Sequence, residues 1–136
     1  MTDLLTKRRF TVEEYDRIAE AGVLTEDDRV ELIDGAIVMM APIGARHAGT
    51  VNYLTRLWTS RLGERAIVQV QNLVRLDLYS KPQPDIALLR PRGDFYRAAH
   101  PGPEDVLLVV DVADTSTEAD RRVKMPLYAR AAVREA

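Results

Sequence analysis

Residues 106–111 have the sequence VLLVVD and decide the fold, because five apolar residues lead directly into an acid. Such a run is typical of a buried strand. A carboxylate beside buried surface is costly unless a partner or a cation compensates its charge. The arrangement occurs again upstream in reverse order, where Asp85 precedes the apolar run IALL at residues 86–89. The two runs are therefore predicted to be neighbouring antiparallel strands.

This pairing predicts two carboxylates side by side. With residue 90 opposite residue 106, Asp85 lies opposite Asp111. Directly opposed residues point to the same face of a sheet, with Cβ atoms roughly 5 Å apart. Two carboxylates this close repel each other, and a divalent cation between them would remove that repulsion. The alternative is two strand-end aspartates that face solvent at the rim of a sheet.

The composition is that of an ordinary globular domain. The chain has 136 residues, of which 46% are hydrophobic, and carries a net charge of −2. We predict one domain over residues 1–136. No apolar stretch approaches the roughly 20 residues that a membrane span needs, and the N-terminus does not have the pattern of a signal peptide. The absence of cysteine excludes disulfides and thiolate metal sites and fits a cytoplasmic location.

The remaining patterns predict an α+β fold, in which helices flank a mixed or antiparallel sheet. Thr11 and Glu14 form a capping-box pattern at a helix start. Asp34-Gly35 lies between two β-rich runs and predicts a hairpin. The other predicted elements are a helix over 47–62, β structure over 66–78, and a helix that begins near residues 115–118.

Lys124 lies thirteen residues after Asp111, in the helical region that follows the second acidic run. A helical turn there could direct its ammonium toward the Asp85 and Asp111 carboxylates. Two acids and a lysine are the minimum set for metal-assisted phosphodiester hydrolysis. The acids hold a hard cation through oxygen, and the lysine orients the attacking water or neutralises charge on the phosphate.

Four ordered segments resemble the Uma-two family of endonucleases, a branch of the PD-(D/E)XK restriction-endonuclease-like superfamily. They are VELIDGAIVMMAPIGARHA, QPDIALLRP, VLLVVDVADTST and DRRVKMPLYARA. The resemblance covers nearly the whole chain. It implies a restriction-endonuclease-like sheet flanked by helices, Mg²⁺ as the cofactor with Mn²⁺ as a substitute, and DNA as the partner.

The resemblance also implies roles for particular residues. Asp85 stands at the PD aspartate of the family, and Asp111 stands where the family usually has glutamate. The superfamily lysine normally lies two residues beyond that acid, but here that residue is Ala113, and the resemblance implies a relocated lysine at Lys124. Glu31 corresponds to a further acid of such sites. The predicted catalytic residues are Asp85, Asp111 and Lys124, and the predicted metal ligands are Asp85, Asp111 and Glu31.

Two departures from the family pattern bear on activity. Asp111 shortens the reach of the expected glutamate by about 1.5 Å, the length of one carbon–carbon bond. Family members also continue with a further strand, so the chain is expected to be truncated at its C-terminus. In that layout one side of residues 107–110 has unpaired backbone groups. We expect either that another element or a second copy of the chain, in a homodimer, covers this edge, or that the 136-residue chain alone is unstable and prone to aggregation.

The resemblance to the family, together with these departures from its pattern, leaves three possible functions. The first is a Mg²⁺-dependent endonuclease that hydrolyses DNA. The second is a degenerate relative that binds nucleic acid or a protein without cleavage. The third is an interaction protein that dimerises through its sheet edge. His47, near a predicted helix start, could cap that helix or lie near the cleft, and a structural role is favoured over a catalytic one. The loop residue His100 is likewise interpreted as structural.

Overall fold

The computed structural model describes residues 5–112 and 124–129, so Ala113 and the helix start predicted at 115–118 lie outside the described residues. The helices are α1 (Val12–Glu20), α2 (Ala45–Leu62) and α3 (124–129), with short 3₁₀ turns at Gly63–Arg65 and Pro103–Asp105. The strands are β1 (Val30–Ile33), β2 (Ala36–Met39), β3 (Ile67–Val70), β4 (Ile86–Leu89) and β5 (Val106–Val110). The predicted α+β class is confirmed, and the strands pair antiparallel in two sheets, β1-β2 and β3-β4-β5.

The capping box and the hairpin form as the sequence predicts. The Thr11 hydroxyl accepts from the Glu14 N–H at 3.1 Å, and the Glu14 carboxylate accepts from the Thr11 N–H at 3.0 Å. Asp34 and Gly35 have φ of 48° and 86°, the two positive values that a type I′ turn requires. This turn fixes the β1-β2 register and places Glu31 opposite Val38, with Glu31 buried.

Two apolar layers cover the β3-β4-β5 sheet. On one face, Ile86 and Leu88 pack with Val51 of α2. On the other face, Ala87 and Leu89 pack with Tyr128 of α3. The alternation of β4 residues between two buried faces explains why its sequence is a continuous apolar run, since a strand between two layers has no solvent face.

The predicted register of β4 and β5 is correct at the acidic end and wrong at the other end. Ile86 lies opposite Val110 and Leu88 opposite Leu108, as predicted. Leu89, however, lies opposite Val106, because the register shifts at the Leu88/Leu89 step. A bulge of this kind places one extra residue on β5, which alternation in sequence cannot reveal. Residue 90 is therefore not opposite residue 106, whereas the pairing beside Asp85 and Asp111 is unaffected.

The β prediction for residues 66–78 is correct only for β3. Gln71 has φ of 45° and turns the chain out of the strand. Val74 and Leu76 are buried as their alternation suggests, and their N–H groups donate to the carbonyls of Pro82 and Ser80. Pro82 has no N–H with which to return such a bond, so no ladder forms.

In the described parts of the chain, β5 pairs with β4 alone, and its other side faces no described strand. The described residues include no helix that is both long enough and apolar enough to cross a membrane.

Candidate active site

Asp85 and Asp111 lie at the adjoining ends of two neighbouring strands. Asp85 directly precedes β4 and Asp111 directly follows β5, and these strands pair antiparallel, as the sequence predicts. The Asp85 N–H donates to Oδ1 of Asp111 at 3.1 Å. The backbone of Asp85 is therefore linked to the carboxylate of Asp111. The two carboxylates themselves have different partners.

The Asp85 carboxylate is held by two donors. Its Oδ1 lies 2.8 Å from Nε2 of His47, and its Oδ2 accepts from the Val112 N–H at 2.7 Å. The His47 side chain is 16% exposed and that of Asp85 is 11% exposed. The N-terminal turn of α2 thus brings an imidazole to this acid, so His47 belongs to the cluster. A place near the cleft was one of the two positions open to His47, but the sequence could not show this contact, because it joins residues that are 38 positions apart.

Lys124 joins the other two acids. Its Nζ lies 3.0 Å from Oε1 of Glu31 and 3.4 Å from Oδ2 of Asp111. The Gln83 N–H donates to the same Glu31 oxygen at 3.0 Å. Lys124 and Glu31 are buried, whereas the Asp111 side chain is a third exposed. Asp111 is thus the most accessible of the acids, and α3 directs its lysine back toward the strand ends, as the spacing suggests.

The charges of this cluster influence one another. Burial by itself lowers the pKa of Lys124, but the carboxylates of Asp111 and Glu31 more than offset this effect and raise that pKa overall. Enclosure by the protein raises the pKa of Asp111, and the opposing effects of the Lys124 ammonium and the Asp85 N–H do not fully offset it. Lys124 therefore stays charged, and the ionised form of Asp111 is disfavoured.

Tyr128 is a further residue beside the cluster and was not predicted. It lies one helical turn after Lys124 on α3, so the two side chains occupy the same face of the helix. It is 1% exposed, and its hydroxyl has no hydrogen-bond partner in the described structure. The four-residue spacing from Lys124 was visible in the sequence and could have identified it. His100, in contrast, is exposed in the loop before β5.

The acids match Mg²⁺ in chemical type. Across residues 5–112 and 124–129, no three His, Asp or Glu side chains are placed together as a ready-made metal-binding group. Mg²⁺ does not require such a group, because it retains several waters and binds through one or two carboxylates and substrate phosphates. Asp85 and Asp111 supply two carboxylates at one sheet end. The donor set therefore fits this cation.

The chain matches the model of one known family over most of its length. The family model Uma2, described as "Putative restriction endonuclease", matches residues 12–136. The chain belongs to the Uma2 family. This match covers both strands that carry the acids, as well as Glu31, His47 and Lys124, and it confirms the resemblance found in the sequence.

A solved structure shares the fold of this Uma2 chain. It is described as a "putative nuclease belonging to DUF820" from Anabaena variabilis, with 14% sequence identity and a TM-score of 0.63. The superposition covers 88% of this chain and 66% of the other, so this chain spans about two thirds of the length of that protein. The restriction-endonuclease-like fold is thereby confirmed. A search of curated proteins finds no significant match.

Proposed function

We propose that this Uma2 chain is a metal-dependent endonuclease that hydrolyses phosphodiester bonds of DNA. Family membership supports a nuclease-like function. The observation that carries the proposal is the ion pairing of Lys124 with both Glu31 and Asp111, next to the Asp85 N–H that donates to Asp111. Three acids and a lysine from four separate parts of the chain meet at one sheet end. Burying these charges costs desolvation free energy, and clusters of this kind are concentrated at functional sites.

Each residue has a role in this proposal. Asp85 and Asp111 would hold Mg²⁺, with Mn²⁺ as a substitute. Glu31 would join them as a third ligand by leaving its contacts with Lys124 and the Gln83 N–H, since the described acids are not already placed as a group of three. When bound, the cation would polarise the phosphate and lower the pKa of a coordinated water. Lys124 lies between Glu31 and Asp111 and stays charged, so it can neutralise charge that develops on the phosphate or hold the attacking water. His47 holds Asp85 in place through its bond to Oδ1.

A second candidate function is binding of nucleic acid or a protein without cleavage. The contacts of Asp85 favour it, because both of its carboxylate oxygens already have partners in His47 and Val112. The shorter Asp111 in place of the expected glutamate also favours it. The homodimer and the cytoplasmic location expected from the sequence stay predictions under either function.

The test is cleavage of supercoiled plasmid by the purified chain in Mg²⁺, in Mn²⁺ and in EDTA. We expect nicking with either cation and none in EDTA. Asp85→Asn should abolish nicking, because it removes charge while keeping an oxygen that can accept from Val112. Asp27→Asn, at an exposed position in the loop before β1, is the matched control and should leave activity unchanged. Equal nicking in EDTA would contradict the metal mechanism.

Binding measurements separate the two candidates. An active enzyme should bind Mn²⁺ and cleave, and Asp85→Asn should weaken both properties. A degenerate binder should retain labelled duplex DNA in a gel-shift assay at equal affinity with and without cations, and it should cleave under neither condition. Single-stranded DNA and RNA of the same sequence, assayed in parallel, define which nucleic acid the site accepts.

A further inference from the structure

The Tyr128 hydroxyl is a buried polar group with no hydrogen-bond partner among the described residues. In the described residues it is the only buried side-chain nitrogen or oxygen that has no hydrogen bond. The ring packs in the core with Val109, Leu89 and Leu127, and the residue is 1% exposed. A hydroxyl buried without a bond costs stability, and a phenylalanine of nearly the same shape would avoid that cost. The Tyr128 hydroxyl therefore does not stabilise the fold.

Tyr128 lies on the side of the sheet that carries Asp111, because its ring belongs to the same core cluster as Val109, two residues before Asp111 along the extended chain. Tyr128 follows Lys124 by one helical turn, and the Lys124 ammonium contacts Glu31 and Asp111. Burial raises the pKa of Tyr128 well above its usual value, and the negative charges of Asp111, Glu31 and Asp85, in that order, add to this effect. The group consequently remains a neutral O–H donor.

The contacts of Asp111 indicate that its carboxylate is the acceptor available to the Tyr128 hydroxyl. Lys124 lies at 3.0 Å from Glu31 but at 3.4 Å from Asp111, so its contact with Asp111 is the longer and weaker of the two. Asp111 is also a third exposed, whereas the Glu31 side chain is 6% exposed. A cation that arrives from solvent would compete with Lys124 most readily at Asp111.

We propose that Tyr128 is a positioning residue, whose hydroxyl donates to the Asp111 carboxylate when a divalent cation replaces the Lys124 contact there. The inference depends on the proposed function, because it requires that the acids bind a cation. The hydroxyl then has a partner in the metal-bound protein alone. Tyr128 does not touch substrate, since it is fully enclosed, and it acts through the orientation of Asp111.

The test is the affinity of the full chain for Mn²⁺, measured by isothermal titration calorimetry without DNA. Tyr128→Phe should raise the Kd about tenfold, which corresponds to about 1.4 kcal/mol. In the absence of metal the same variant should be at least as stable to heat as the wild type, because it removes an unpartnered hydroxyl. Tyr53→Phe, at a tyrosine that is 66% exposed, is the matched control and should change neither quantity.

A double-mutant cycle identifies the acceptor. In an Asp111→Asn background, Tyr128→Phe should change the Mn²⁺ affinity by less than twofold, because the carboxylate that accepts the bond is already gone. An equal Kd for wild type and Tyr128→Phe would overturn the inference while leaving the metal mechanism intact. Loss of heat stability without metal, at unchanged Kd, would assign the hydroxyl to the fold and would also overturn it. A wild-type chain that binds no Mn²⁺ would overturn both proposals.

Discussion

Lys124 and Glu31 form an ion pair in which both side chains are more than nine-tenths buried. Nζ lies 3.0 Å from Oε1, and the side chains are 9% and 6% exposed. The Gln83 N–H donates to the same oxygen. The pair therefore joins α3, the hairpin and the segment before β4 through charges that hardly reach solvent.

We predict that Lys124→Met destabilises the protein by about 3–5 kcal/mol, because it leaves the Glu31 charge buried without its partner. Urea unfolding measures the loss. The double variant Lys124→Met/Glu31→Gln should recover part of it, since neither charge remains. Arg17→Met is the matched control, because its ion pair with Glu13 is exposed and is worth less than about 1 kcal/mol. Equal losses for the two single variants would contradict a buried pair.

Asp111→Asn should make the protein more stable at neutral pH while it abolishes cleavage. The pKa of Asp111 is raised, chiefly by burial, so the folded state binds the proton more tightly than the unfolded state does. The ionised carboxylate thus costs stability above its folded pKa, and this cost disappears as the pH falls through that pKa and the group becomes protonated.

Thermal unfolding of Asp111→Asn and wild type from pH 7 down to pH 4 tests this relation. The variant should have the higher Tm at pH 7, and the two melting curves should converge toward acid. Asp27→Asn should follow the wild type throughout. A variant that is less stable at pH 7 would mean that the carboxylate stabilises the fold through Lys124 and the Asp85 N–H.

Much of the fold could be predicted because local chemistry determines it. The Thr11 and Glu14 side chains meet backbone groups three residues away, and Asp34-Gly35 supplies the positive φ values of its own turn. The acid-flanked runs of β4 and β5 were equally informative, because a carboxylate beside a buried strand needs a compensating partner wherever it occurs. The first two signals lie within a few residues of the structure that they specify, whereas the two acid-flanked runs specify a pairing between residues 26 positions apart.

The errors arose where distant residues decide the outcome. The bulge at Leu88/Leu89 depends on how β5 packs, and alternation in sequence does not record an extra residue. Val74 is buried, yet it is not in a strand, because its partner Pro82 cannot return a hydrogen bond. His47 reaches Asp85 only after α2 has packed on the sheet. In each case the sequence indicated whether the residue is buried or polar, but tertiary packing decided which residue it contacts.

His47→Ala should lower cleavage by about ten- to a hundredfold, because a hydrogen bond to a charged group is worth about 1.5–3 kcal/mol. The loss follows from a freed Oδ1 on Asp85, which His47 holds at 2.8 Å. His47→Gln retains a donor and should recover part of the activity. His100→Ala, at an exposed histidine, is the control. Initial rates of plasmid nicking at saturating Mg²⁺ measure all three, and wild-type rates for His47→Ala would show that Asp85 needs no support from the imidazole.

The outer side of β5 carries backbone groups that the pairing with β4 does not use. In the described residues β5 pairs with β4 alone, so the N–H and C=O groups of Val106–Val110 that point away from β4 have no described strand beside them. An apolar edge of this kind is a template for pairing with another strand. We predict that this edge is covered in solution, so that the β5 amides that point away from β4 are protected from hydrogen exchange, as are those that point toward it.

Hydrogen exchange measured over a range of protein concentrations, alongside light scattering, identifies what covers the edge. Protection that rises together with the scattering mass indicates a second copy, and protection independent of concentration indicates another segment of the same chain. A stable monomer whose outward amides exchange freely would contradict the prediction, because the edge would then remain open without cost.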